Sequence, residues 1–374
     1  MSEAPKRWSV ERAQAWAAEV GFLAGCNYTP ASASNQLELW QEATFDPERI
    51  ERELGWSREL GFDTLRIYLH DLLWEPPVRG GFVERVRRVF DLAHATGHRV
   101  IPVLFDDCWA PEGALGPQPE PVPGVHNSRW LKSPSKSVLM RMDQRDRERL
   151  EAYTRGVMGA LADHPAVVLW DVHNEPGNAI KADEGRAASL RLLKLAFGWA
   201  RAAGVPQPLT SGVMARRFDQ EEIMLFQAAA SDVLSFHHYA HADELDDAIR
   251  FARGERDGGA VVLGNEGRPM VCTEYMIRTR PGNAFADVLP KLRARGIGAI
   301  HWGLVDGRTQ TKWPWSSWKR LGVPAGEAAP DQDPGEVPPE PDPWHHEVLR
   351  ADGTPYREEE AALIRRVLGA AGDA

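Results

Sequence analysis

From about residue 22 onward, short apolar runs alternate with amphipathic stretches, and that alternation restricts the chain to parallel strands joined by helices. Apolar runs occupy 22–27, 64–69, 99–105, 166–172, 233–237, 269–273 and 298–303, with a weaker run at 208–212. Helical periodicity lies between them, at 46–60 behind an Asp-Pro start, 81–96, 144–162, 187–203 and, more weakly, 243–253. A last amphipathic stretch at 356–368 would close the wall. Eight strands each followed by a helical segment is the count of a (β/α)8 TIM barrel, and 374 residues fit one such domain with insertions. We therefore read residues 1–374 as a single barrel domain.

Two segments do not fit the repeat. A long loop, 106–136, follows the third strand and holds prolines, glycines and tryptophans. Loops of this length inside a domain usually carry function. The Pro-rich, acidic stretch 323–343 is expected to run over the surface before the last helix, since too little chain follows it for a second domain.

Composition removes several classes. A net charge of −10 repels nucleic acid and anionic membrane surfaces, and no apolar run approaches the ~18 residues of a membrane span. Residues 1–19 lack the apolar core of a secretory signal. Three widely spaced cysteines, Cys26, Cys108 and Cys272, read as buried reduced thiols, so a cytoplasmic location is expected. No Cys-x-x-Cys pair suggests a metal, and the doublet His237-His238 lacks third and fourth ligands at a recognisable spacing among His173, His301, His345 and His346. Nothing in the sequence sets an oligomeric state. The 14 tryptophans against 6 tyrosines stand out. Trp74, Trp109, Trp130, Trp313, Trp315, Trp318 and Trp344 lie in loop-like surroundings, where flat indole faces suit the C–H faces of a sugar ring. At least three of them are expected to line a cleft.

Two strand ends carry acids. Asn174-Glu175-Pro176 follows one apolar run, and Thr273-Glu274-Tyr275 follows another 99 positions later. At thirty-odd residues per strand–helix unit the two glutamates are about three units apart, and so face each other across the barrel mouth. A facing carboxyl pair is what glycosidic bond cleavage uses: one protonates the leaving oxygen while the other attacks or activates water. Pro176 cannot extend a ladder and turns Glu175 outward, while Asn174 can bond a carboxylate or a sugar hydroxyl. Arg66, between Leu65 and Ile67 in the second strand, is costly there unless paired. Glu274 is the partner that would matter, with Asp63 or Asp106 as structural alternatives. His237 and Tyr239 share a strand face; His237 is expected at a substrate hydroxyl and Tyr239 at Glu274. Trp302, closing the eighth strand, is expected as the floor under the sugar.

With these residues in place the chain resembles the clan A retaining glycoside hydrolases, most closely the cellulase-like family 5. That resemblance covers roughly residues 20–310. It implies Glu175 as acid/base and Glu274 as nucleophile. Arg66, Asn174, His237, Tyr239 and Trp302 would be the supporting set, with Trp109, Trp130 and Trp313 as further sugar contacts, and no cofactor. The segments around Cys108-Trp109, 126–130, 313–315 and 352–356 are similar to a bacterial branch of cellulase-like or xylanase-like proteins. Unlike secreted cellulases, the sequence shows neither export signal nor binding module. A short β-linked oligosaccharide or glycoside is therefore the expected substrate. A sugar-binding barrel without turnover is the rival expectation.

Overall fold

The computed structural model describes residues 6–178, 183–214, 221–255, 265, 267–324, 327, 329 and 336–369. Its strands, all in one parallel sheet, are β1 (Ala24–Asn27), β2 (Thr64–Tyr68), β3 (Arg99–Asp106), β4 (Trp170–Asn174), β5 (Leu209–Thr210), β6 (Val213–Met214), β7 (Leu234–His238), β8 (Met270–Tyr275) and β9 (Gly298–Trp302). The ladder runs β5-β4-β3-β2-β1-β9-β8-β7-β6, and only Ser211 and Gly212 separate its two ends. The sheet thus closes on itself as a (β/α)8 barrel whose fifth strand is broken into β5 and β6. Gln227 repairs the break by donating to the Ser211 hydroxyl at 2.9 Å and the Gly212 carbonyl at 2.7 Å. The break has a local cause. A Cβ on Gly212 would sit 2.8 Å from Nε2 of His237, so the backbone there yields to the histidine.

The helices pack outside the sheet: α1 (Val10–Val20), α2 (Gln36–Trp40), α3 (Pro47–Glu59), α4 (Pro76–Ala95), α5 (Lys136–Arg141), α6 (Gln144–Leu161), α7 (Asp183–Ala203), α8 (Glu221–Ala230), α9 (Leu245–Ala252), α10 (Phe285–Ala294) and α11 (Glu358–Leu368). Helix α4 begins five residues earlier than its periodicity suggests, because Pro76 and Pro77 occupy first-turn positions that need no amide donor. The fourth strand moves the other way. Val167 makes only an isolated bridge to Val100, and the regular ladder starts at Trp170, which carries it to Asn174.

The barrel interior is sorted by height. At the end where the strands begin, Leu23, Ile101, Leu169, Val233, Val271 and Ile300 form one apolar layer, with Trp16 and Val20 of α1 packed under it. At the opposite end the inward residues are polar and still buried: Asn27, Arg66, Asp171, His237 and Glu274. Buried polar groups on that scale persist only when they satisfy one another, and this rim is where barrel sites lie. The long loop after β3 is folded across it. Asp106 and Ser133 exchange backbone hydrogen bonds of 2.7 and 2.9 Å, and Ala110 pairs with Trp130 and Lys132 at 3.0 Å each. Part of the Pro-rich stretch 323–343 falls outside the described residues. Beyond it, Arg278 after β8 forms a buried ion pair of 2.7 Å with Glu360 of α11, tying the last helix to the wall.

Candidate active site

Glu175 stands just beyond the last residue of β4 with φ of +44°, a conformation that a residue bearing a Cβ adopts only when its surroundings hold it there. The holding is visible. Asp107 accepts from the Gly177 amide at 2.6 Å, from the Ser189 hydroxyl, and from Lys132 Nζ at 2.5 Å, with His173 Nε2 at 3.3 Å. Burial alone would raise Asp107; Lys132, His173 and the Gly177 amide instead keep it well below the usual carboxylate range. Both Lys132 and Asp107 are fully buried. Lys132→Met is therefore expected to cost about 3–5 kcal/mol by leaving a buried, unpaired carboxylate. Urea denaturation checks this, and a change within error would separate the Glu175 turn from the ion pair beneath it.

Glu274 is set by an irregularity. In the β7–β8 ladder Phe236 faces Cys272 but His237 faces Glu274, so Thr273 is bulged out and Glu274 is carried beside His237. Its Oε1 accepts from Arg66 Nη1 at 3.0 Å and from the Tyr68 hydroxyl at 3.1 Å, and its Oε2 from the Tyr239 hydroxyl at 2.9 Å. Arg66 also reaches Asp171 at 2.8 and 3.1 Å, Asn27 at 2.6 Å and Asn174 at 2.6 Å. Neither Asp63 nor Asp106 takes the guanidinium; Asp63 pairs with Arg99.

Between the two acids lies His237. Its Nδ1 is 2.7 Å from Glu175 Oε1 and 3.4 Å from Glu274 Oε2, so it faces the carboxyl pair rather than a place for a substrate hydroxyl. A carboxylate oxygen of Glu175, one of Glu274 and a ring nitrogen of His237 lie within 4.8 Å of one another. Glu175 Oε2 accepts from the Cys108 thiol at 3.1 Å and from Asn178 at 2.5 Å. Burial opposes the charge on all three groups. For His237 the two carboxylates outweigh burial and its pKa is raised; for Glu175 the His237 contact outweighs burial and holds the carboxyl down. Glu274 is raised by burial, opposed by His237 and Arg66 and reinforced by the charge of Glu175. The site thus keeps a proton in the His237–Glu175 hydrogen bond, while three donors serve Glu274.

Trp302 and Trp130 pack edge to face at 5.5 Å, each against Tyr68, beside Glu274. Trp130 is pinned through Nε1 to Asp106 at 2.7 Å. Trp315 lies edge-on to Tyr239 at 5.2 Å, while Trp109 stacks on Trp318 at 5.4 Å. Trp313 is buried and offers its carbonyl to His126 at 2.7 Å. Trp344 stacks on Tyr356 at 4.3 Å and Trp74 sits edge-on to Tyr153, so neither joins the carboxyl cluster. Sequence reasoning passed over Tyr68, Asp171, Asn27, Cys108 and Asn178. Tyr68 had a signal, since it shares a strand face with Arg66 two positions away. Cys108 had none that separates it from an ordinary buried thiol.

Glu175, His237 and Glu274 are close enough to share a divalent ion. The Arg66 cation at 3.0 Å, however, already pairs with Glu274, and the two tyrosine hydroxyls take two more of its roughly four acceptor directions. That donor set suits an organic substrate better than a second cation.

No family profile and no curated protein sequence matches the chain. Solved structures do. A variant GH5_18 protein from Streptomyces cattleya, in complex with Manb1-4GlcNAc, superposes with a TM-score of 0.58 at 15% identity, over 94% of this chain and 81% of that one. The exo-beta-1,4-mannosidase Op5Man5 from Opitutaceae bacterium strain TAV5 gives 0.55 at 17% identity, over 94% and 61%. An endo-1,4-beta-D-mannanase from Thermotoga petrophila gives 0.54 at 16%, over 93% and 99%. The chain shares the (β/α)8 barrel fold of these proteins. Among the described residues no helix is long and apolar enough to cross a membrane.

Proposed function

We propose that the protein is a retaining glycoside hydrolase that cleaves a β-linked glycoside or short oligosaccharide through a glycosyl-enzyme intermediate. The observation that carries this reading is the pair of buried carboxyls on either side of His237, at 2.7 and 3.4 Å from its Nδ1, with one oxygen of Glu175 and one of Glu274 within 4.8 Å of each other. Double displacement places its two carboxyls about 5–5.5 Å apart, whereas inversion leaves about 6.5–9.5 Å for a water between them. Glu274, its oxygens positioned by Arg66, Tyr68 and Tyr239, attacks the anomeric carbon as the carboxylate. Glu175 takes the proton held in its hydrogen bond with His237, protonates the departing oxygen, and then deprotonates the incoming water. Each proton leaves and returns within that pair, so no cofactor is required. The fold neighbours include an exo-β-1,4-mannosidase and an endo-1,4-β-mannanase, which makes β-mannosides the first substrates to try.

The test is a panel of aryl β-glycosides and short β-1,4-linked oligosaccharides. Turnover of at least one, lost in Glu274→Ala, supports the reading. Binding without turnover across the panel would favour a sugar-binding barrel.

A bell-shaped pH dependence of kcat/KM is expected. As pH falls, Glu274 is protonated at a pKa raised above its ordinary value, and the nucleophile is lost. As pH rises through the raised His237 pKa, the proton needed for the leaving group is lost. The acid limb should lie above an ordinary glutamate and the alkaline limb above an ordinary imidazole. A profile without an alkaline limb would remove His237 from the proton inventory.

A further inference from the structure

Beside the carboxyl pair lies a niche lined by Asn27, Tyr68, Trp130, Trp302, Thr311 and Glu347, with about 280 Å³ of empty space counting its open side. It adjoins the proposed nucleophile, since Tyr68 bonds Glu274. Glu347 closes its far end. This carboxyl is 1% exposed, with Oε1 accepting from the Thr311 hydroxyl and Oε2 receiving nothing from the protein. A buried acceptor left without a donor costs about 1–3 kcal/mol, so such a group is retained where something else reaches it. The neighbouring backbone comes close to it at a residue without a side chain. Gly303 has φ of +78°, and a Cβ on it would lie 2.5 Å from that same Oε2.

We infer that this niche is a recognition pocket for one exocyclic hydroxyl or hydroxymethyl group of the sugar attacked by Glu274, with Glu347 as its hydrogen-bonding partner. The inference rests on the hydrolase reading and narrows it. Inside its mouth the niche has room for about one water-sized group, too little for a second ring. A sugar that places a substituent there cannot be extended through it. Burial raises the Glu347 carboxyl to about 8, so near neutrality it can donate as well as accept. That suits a hydroxyl, which does both.

Monodeoxy aryl β-glycosides of the preferred sugar test this with the unaltered protein, Glu347→Gln and Glu347→Ala. Glutamine keeps an oxygen for Thr311 and guards against a folding failure in the alanine variant. A site built to bond a hydroxyl discriminates strongly against its absence. The expected loss in kcat/KM on the parent glycoside is about 100-fold for Glu347→Ala. One deoxy sugar should already be impaired with the unaltered protein and lose no more than about 3-fold further on substitution. Equal losses on every glycoside would make Glu347 merely structural and overturn the inference. A second arm does not need turnover. Quenching of tryptophan fluorescence in Glu274→Ala by the parent monosaccharide should weaken with Glu347→Gln, and unchanged binding would also overturn the pocket. If no glycoside is turned over but this binding difference persists, the hydrolase reading fails while the pocket stands.

Discussion

Glu274→Gln hydrolyses aryl β-glycosides on the order of 10⁴-fold more slowly than the unaltered protein, with little change in folding stability. Losses of this order follow removal of a group that reacts covalently, because nothing nearby can form the same bond. Glutamine is isosteric and keeps one oxygen to accept from Arg66 and Tyr68, while its amide nitrogen meets the Tyr239 hydroxyl, which can turn to accept, so these side chains need not move. Glu175→Ala should behave differently. Its cost should be large for glycosides with poor leaving groups. With a dinitrophenolate leaving group, which departs without a proton, the first step should be nearly spared. Steady-state kinetics on a leaving-group series separates the two roles. A Glu274→Gln variant that kept more than a hundredth of the original rate would show that this carboxylate is not the group that attacks.

Arg66→Met destabilises the fold and disables the site together. The guanidinium is fully buried and its one charge is shared by two acids, Asp171 at 2.8 Å and Glu274 at 3.0 Å, while it also fixes Asn27 and Asn174. Removing it takes from two buried carboxylates the cation they share, and breaking such a pair costs about 3–5 kcal/mol. The sign of the pH effect follows. Arg66 lowers the Glu274 pKa, so its loss raises that pKa, and the acid limb of the activity profile moves to higher pH. Arg66→Lys keeps one charge but cannot span Asp171 and Glu274 with a planar fork, so it should fall between the two. Urea denaturation together with kcat/KM against pH measures both effects. A stable Arg66→Met variant with an unmoved acid limb would show that the arginine does not govern Glu274.

The barrel was legible in the sequence because parallel strands buried on both faces read as continuous apolar runs, and because each is followed by a helical period. The fifth strand was faint for a physical reason. It is two short pieces on either side of Ser211-Gly212, bent to make room for His237, and four residues in a ladder leave little pattern. The carboxyl pair was legible because an acid at the end of an apolar run is costly without a purpose. Its support was half legible. Arg66 drew attention by charge inside a strand, and its pairing with Glu274 followed. The place of His237 between the acids depends on the bulge at Thr273, which shifts the register by one residue and has no compositional mark. Cys108 and Lys132 come from the long loop, where contacts are made across a fold-back that no periodicity foretells. Glu347 lies more than forty residues beyond β9, and only its burial beside Trp302 distinguishes it from the other acids of the chain.

The central claim is that two carboxyls this close work by double displacement. Proton NMR of the first minutes of hydrolysis of an aryl β-glycoside observes the anomeric proton of the released sugar before mutarotation mixes the forms. The account predicts that the β-anomer appears first. Initial release of the α-anomer would contradict it, because a single displacement by water would then have taken place between Glu175 and Glu274.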